Sequence, residues 1–180
     1  GVSLREGDRL LGQTFGNLMF TQFGFSGPAA MDLSHLVSRR PGAPLTLSVD
    51  LLAGTHEALA ELLARWRGRP LPLTAALGAV LGPKIPPVAL ALAGLPGEAR
   101  LDDTDPAALE RLWRTLRGLA AAVRGTRGFD FAQVSTGGVP VTEIEPRTMA
   151  SRIVPGLHLA GEVLDVVGPC GGFNLQWAWT

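Results

Sequence analysis

The hydrophobic period of this chain changes twice, and that restricts the folds open to it. Leu45, Leu47, Val49 and Leu51 alternate with Thr46, Ser48 and Asp50, the two-residue period of a half-buried strand. From Gly54 the apolar residues fall instead at helical spacing. Thr55 opens a predicted helix to about Arg67, with Leu59, Leu62, Leu63 and Trp66 on one face. Gly68-Arg69-Pro70 breaks it. Leu71 to Leu81 and Pro86 to Leu95 predict two shorter helices, separated by Gly82-Pro83. Thr104 or Asp105, ahead of Pro106, opens a longer one to about Val123, apolar at Leu109, Leu112, Trp113, Leu116 and Leu119. A β pattern then returns, with strands predicted over Gly128–Ser135 and Val139–Ile144, joined at Gly137-Gly138. Strands, then helices, then strands predict an α+β chain. Residues 54–123 form an inserted helical bundle, and residues 1–53 with 124–146 form a small antiparallel β-barrel-like unit.

The earlier β unit is predicted from Asp8–Gln13 and Gly16–Gln22, turning at Gln13–Gly16 as a hairpin, with Phe23–Ser26 a loop. Ser26 is the expected N-cap of a helix running to about Val37, with Pro28 in its first turn. Ala29, Leu33, Leu36 and Val37 share one face.

Sixteen basic residues balance sixteen acidic ones, which argues against nucleic-acid or anionic-membrane partners, since both require a basic surface. A small-molecule substrate is the expected partner. The longest apolar run, Ile85 to Leu95, is far shorter than the roughly 20 residues of a membrane span. The single cysteine, Cys170, rules out an intramolecular disulfide or a cysteine-based zinc cluster. The three histidines lack metal-ligand spacing, so no metal site is expected. With no visible signal peptide, these features suit a cytoplasmic protein.

Chemistry concentrates in residues 147–180. Leu157, Leu159 and Ala160 read as a buried strand ending abruptly at Gly161-Glu162; a glycine-rich loop, Gly168 to Gly172, precedes a helix from Asn174 to Trp179. Strand, sharp turn, acid and helix N-terminus is one way an α/β sheet holds a nucleotide-type cofactor. On the residues alone, an ordinary strand-to-helix turn with a solvated or capping Glu is the plainer reading.

Three stretches carry a resemblance. They are Gly156-Leu-His-Leu-Ala-Gly-Glu-Val-Leu-Asp165 with Gly171-Gly-Phe-Asn-Leu-Gln-Trp-Ala178; Leu18-Met-Phe-Thr-Gln-Phe-Gly-Phe-Ser-Gly-Pro-Ala29; and Phe131-Ala-Gln-Val-Ser-Thr-Gly-Gly-Val139, continuing through Glu143-Ile-Glu-Pro-Arg-Thr-Met149. Together they resemble the bacterial NAD(P)/FAD-dependent oxidoreductases of the aminoacetone-oxidase-like (YhiN/BaiN-type) group. Gln22 stands where that family usually has His, so no imidazole is present there, and Phe173 where it usually has Tyr. The family's G-x-G-x-x-G, which binds the ADP half of FAD, is not among these residues. The resemblance therefore implies a fragment: an insert plus part of the C-terminal FAD-binding segment, residues 147–180, an incomplete α/β domain.

The resemblance implies FAD in the parent protein, NAD(P) as a possible redox partner, and poor FAD binding by this piece alone. Gly161 and Glu162 would meet the ribityl chain. Gly171, Gly172, Asn174 and Gln176 would face the flavin ring; the bland alternatives are a Gly-Gly turn with Asn as helix cap, and Gln176 merely capping the turn. Thr21, Gln22, Ser26 and Gly27, with Thr136 and Gly137, are substrate-pocket candidates, against a capped helix start and a tight hairpin turn. No residue stands out as catalytic. The alternative function is a non-catalytic binding or oligomerisation module, such as a homodimer surface.

Overall fold

The structure is a computed structural model describing all residues 1–180. Its strands are β1 (Val2–Glu6), β2 (Arg9–Thr14), β3 (Met19–Thr21), β4 (Gly24–Ser26), β5 (Leu45–Val49), β6 (Leu119–Val123), β7 (Ile144–Glu145) and β8 (Ala150–Ser151). Its helices are α1 (Pro28–Ser38), α2 (His56–Trp66), α3 (Leu73–Leu81), α4 (Ile85–Leu92), α5 (Pro106–Arg117) and α6 (Phe173–Trp179). Hydrogen bonding orders one sheet as β2-β1-β5-β6, with β3-β4 and β7-β8 as two-stranded ribbons. The chain is thus mixed α and β with antiparallel ribbons. No helix is long and apolar enough to cross a membrane.

Contacts divide the chain into two compact units: Ser48–Ala121 with Gly1, and Val2–Leu47 with Ala122–Thr180. The first is helical. Its core gathers Leu52, Leu59, Leu73, Leu77, Leu90 and Leu112, all buried. Asp105 caps α5 by accepting the Ala108 N–H at 2.9 Å, as its position before Pro106 predicts. The start of α3 is tied to the approach to α5 by Leu73 N–H to Ala99 O and Leu101 N–H to Leu71 O, both 2.9 Å. Both oxygens of Asp50 lie 2.8 and 3.0 Å from His56 Nε2, which anchors the first turn of α2.

One expectation changes in this unit. The helix predicted to reach Val123 ends at Arg117, where Gly118 turns the backbone (φ −151°, ψ 47°) and Leu119–Val123 continues as β6. Leu-Ala-Ala-Ala-Val has good helix propensity, but the neighbouring strand supplies its backbone partners instead.

The second unit departs further. The first strand is Val2–Glu6, pairing antiparallel with β2 across a register shift at Leu4/Arg5. The second hairpin is Met19–Ser26, so Phe23–Ser26 is partly strand and not a loop. Thr21 closes its turn: the hydroxyl donates to Gly24 O at 2.9 Å and accepts the Phe23 N–H at 3.2 Å. Gly27 takes the cap position expected of Ser26, with no side-chain capping bond, and Pro28 starts α1. Residues 128–143 form no strand: Val139 makes one isolated parallel bridge to Leu164, and only Ile144, in β7, pairs within a ribbon. The stretch contains two short 3-10 turns, Phe129–Phe131 and Val141–Glu143. Arg127 lies between two rings, its guanidinium carbon 3.4 Å from the Phe131 centroid and 4.4 Å from that of Phe23. The strand expected at Leu157–Ala160 is reduced to one bridge, His158 with Ala150, and is exposed.

Candidate functional site

The second unit holds two clefts that share a wall. One, of about 230 Å³, lies between Gln133–Thr136 and the loop carrying Gly168, Cys170, Gly171, Gly172 and Asn174, with α1 behind. The other, of about 310 Å³, opens between Gly12–Thr14 and Val167–Pro169. Asp32 and His35 of α1 line both.

The first cleft brings together four of the residues expected from sequence: Thr136 on one side, and Gly171, Gly172 and Asn174 on the other. The glycine pair has φ of +129° and +93°, a region that L side chains rarely enter. Neither carries a Cβ that would fill the cleft. Asn174 spends its amide on the loop itself. Its Oδ1 accepts the Gly168 N–H at 2.7 Å, and its Nδ2 donates to Gly168 O at 3.0 Å. Opposite, the Cys170 N–H donates to Asp32 Oδ1 at 2.5 Å. The glycine loop is therefore pinned to α1 at one point and to α6 at another.

The other expected residues lie outside this cleft. Thr21 and Gln22 form the exposed tip of the β3-β4 hairpin, followed by Ser26 and by Gly27 at the start of α1. Gln176 reaches along its own helix, donating to the Thr180 hydroxyl at 3.3 Å. Gly161 and Glu162 begin a 3-10 turn packed beside α6. The Glu162 carboxylate already has a partner: Oε1 accepts the Ser135 N–H at 2.8 Å. Gly137 follows the cleft wall, its N–H directed to Asp165.

Sequence reasoning missed the group that holds that wall. Asp165 Oδ1 accepts the Gly137 N–H at 3.0 Å and an N–H of Arg39 Nη2 at 2.6 Å. Arg39 Nε donates to the Thr136 hydroxyl at 2.9 Å. Between them, Val139 N–H to Val163 O and Asp165 N–H to Val139 O, both 2.8 Å, lay the two segments side by side. In the sequence Arg39 lies just beyond the predicted end of α1 and carries no signal of its own. A Cβ at Gly138 would overlap the Val163 carbonyl, so the second glycine of the pair serves a close approach of backbone as well as a turn.

Electrostatics follow this geometry. Asp165 is held below its ordinary value of 3.8, chiefly because the Gly137 N–H bonds the charged form; burial opposes this, and the Arg39 charge adds to the lowering. His35 is held below 6.5, first by burial and also by Arg39, with Asp32 and Asp165 opposing. Its Nδ1 is buried without a hydrogen-bond partner. In both cases the unfolded chain binds the proton more readily, so stability rises with pH. His35's contribution should be present above about 6.5 and fall away as pH drops below it; that of Asp165 should go only below about 3.8. Urea midpoints at a series of pH values test this. His35→Gln should flatten the upper window and leave the lower, and an unchanged upper window would show that His35 is not its source.

Residues 24–180 match the family described as HI0933-like protein Rossmann domain. The chain belongs to this family. It is also 32% identical to a 3-dehydro-bile acid delta(4,6)-reductase of Clostridium scindens over 183 residues, 99% of this chain and 45% of that protein. It is 34% identical to a ribosomal RNA dihydrouridine synthase of Escherichia coli over 164 residues, 91% of the chain and 40% of that protein. The protein of that name from Haemophilus influenzae is 31% identical over 95% of the chain and 42% of its own length. The chain thus spans somewhat under half the length of the curated relatives it matches. The YhiN/BaiN-type resemblance and this family are consistent with one another.

Proposed function

We propose that the chain is part of an FAD-dependent oxidoreductase that reduces a carbon–carbon double bond conjugated to a carbonyl. The supporting observation is the cleft between the Gln133–Thr136 wall and the Gly171-Gly172-Asn174 loop, in a chain whose relatives share one type of chemistry. One relative is named as a reductase of an unsaturated 3-oxo ring, another for making the dihydro form of uridine. Both names describe adding two hydrogens across a ring double bond. FAD, when bound and reduced by a nicotinamide cofactor, would supply the hydride.

The chain's own residues fit a flavin edge. Gly171 and Gly172 leave the backbone accessible, and Asn174 keeps the loop in shape. Glu162 retains Oε2 for a ribityl hydroxyl while Oε1 holds Ser135. The finer parts of this reading are that the β-barrel-like and helical regions form an insert covering the flavin and shaping the pocket for a small-molecule substrate, with NAD(P)H as reductant, in the cytoplasm. The pyrophosphate-binding part would lie in a longer parent protein. A second reading, an oligomerisation module, is favoured by exposed apolar residues on α6, where Trp179 is 83% exposed.

The test is the visible spectrum of the purified full-length parent after incubation with FAD and removal of the unbound cofactor by desalting. A flavin band is expected. Asn174→Ala removes two hydrogen bonds, each contributing about 0.5–1.5 kcal/mol, and should lower flavin occupancy clearly at matched FAD. No band in the unaltered protein would overturn the reading, and gel filtration would then decide whether self-association replaces it.

A further inference from the structure

We propose that Arg39 is a positioning residue that bridges Thr136 and Asp165, fixing the Gln133–Thr136 wall against the glycine loop and thereby linking the order of that wall to cofactor binding. The inference rests on the FAD reading above, but its structural part is testable without it.

Residues 133–137 have no strand neighbour, so their backbone groups need partners from elsewhere. Two acids of the C-terminal segment provide them. Glu162 takes the Ser135 N–H, and Asp165 takes the Gly137 N–H. An aspartate carboxylate can turn about its own side chain, so the Gly137 bond alone does not fix a direction. Arg39 removes that freedom. Its guanidinium is planar, and it uses two separate N–H directions, one on Asp165 and one on Thr136. A lysine has one compact charge and cannot hold both acceptors in that fork.

Arg39 itself follows the last residue of α1, the helix whose Asp32 holds Cys170 on the other wall. One rigid element therefore fixes both sides of the cleft: Asp32 sets the glycine loop, and Arg39, about two turns further on, sets the wall. A ligand filling the space between them favours the ordered wall, and an ordered wall binds the ligand better. The coupling must be reciprocal. Couplings of this kind are typically about 5- to 150-fold in affinity.

The experiment uses the full-length parent and FAD as the probe, with Arg39→Ala, Arg39→Lys and Thr136→Val. Two quantities are read: FAD affinity, and hydrogen exchange at the Ser135, Gly137 and Val139 amides. Val139 donates to Val163 O without help from Arg39 and serves as the internal reference. In the unaltered protein FAD should slow exchange at Ser135 and Gly137. Arg39→Ala should weaken FAD by about tenfold, speed exchange at those two amides and leave Val139 unchanged. Arg39→Lys should fall between, and Thr136→Val should reproduce part of the loss.

Equal acceleration at all three amides would mean general loosening of the unit, and would overturn the positioning role. So would faster Ser135 and Gly137 exchange with no change in FAD affinity, because the link would then be absent. If the unaltered protein binds no FAD, the functional reading fails. The exchange pattern of Arg39→Ala then decides the clasp separately, since uniform or unchanged exchange would refute it.

Discussion

Gly138→Ala is expected to disrupt the candidate site more than any other single change in it. A Cβ at this position would overlap the carbonyl of Val163, and its next nearest neighbours are also backbone atoms, Val163 C at 2.9 Å and Leu164 C at 3.0 Å. No rotamer change relieves an overlap with backbone, so the segments must separate. Overpacking typically costs about 1–3 kcal/mol. The two backbone bonds flanking the contact, Val139 N–H to Val163 O and Asp165 N–H to Val139 O, contribute about 0.5–1.5 kcal/mol each. A loss of about 3 kcal/mol is expected, read as a fall in the urea midpoint, together with loss of the flavin band in the full-length parent. Gly137→Ala is the comparison. Gly137 has φ of +91° and nothing within 4 Å of an added Cβ, so only backbone strain of about 1–2 kcal/mol applies. If the two variants lose equal stability, the close approach at Gly138 is not what holds the segments.

The contrast between these neighbours shows which parts of the site were legible in sequence. A Gly-Gly pair reads as a turn because the turn is local and needs only φ. The need for Gly138 comes from Val163, twenty-five positions later, and has no local sign. The same limit explains why residues 128–144 read as strands. Phe129 and Phe131 flank Asp130, and Val134 lies between Gln133 and Ser135, which resembles pieces of a half-buried β pattern. Yet those residues are exposed, and the stretch finds its partners in the side chains of Glu162 and Asp165 and in Arg127 stacking. Side-chain clasps at that separation leave no periodicity to read.

Where hydrophobic period and local chemistry agreed, the reading was secure. Helix α5 has its Asp105 cap, its Pro106 and the buried Leu112 and Leu116 on one face. Strand β5 alternates Leu45, Leu47 and Val49 inward. Leu119–Val123 read as the end of helix α5, and the neighbouring strand overrode its helix propensity. In the C-terminal stretch, Gly171, Gly172 and Asn174 came to attention through motif resemblance. The Asn174 clamp on Gly168 supplies a physical reason for that spacing: the amide must reach back six residues to a backbone N–H and C=O at once. An ionised aspartate offers only acceptors, and the single oxygen of a serine is too short to replace the two separate amide atoms.

Leu90→Ala should cause the largest loss of stability in the helical unit. Leu90 is fully buried in the core with Leu59, Leu73 and Leu77, on a helix that packs against both α3 and α5. Truncation removes transfer free energy and leaves a cavity that the surrounding leucines fill only in part, so about 2–5 kcal/mol is expected. Leu92 lies on the same helix and is 58% exposed. Two residues along an α-helix turn the side chain through about 200°, to the opposite face. Leu92→Ala should therefore change stability by about 0.5 kcal/mol or less. Urea unfolding of the two variants beside the unaltered chain reads the difference directly. Similar losses at both positions would mean that the outer face of α4 is covered in solution, and gel filtration of the same samples would then show whether a second copy covers it. A small loss at Leu90 would instead contradict the packing of α4 between α3 and α5.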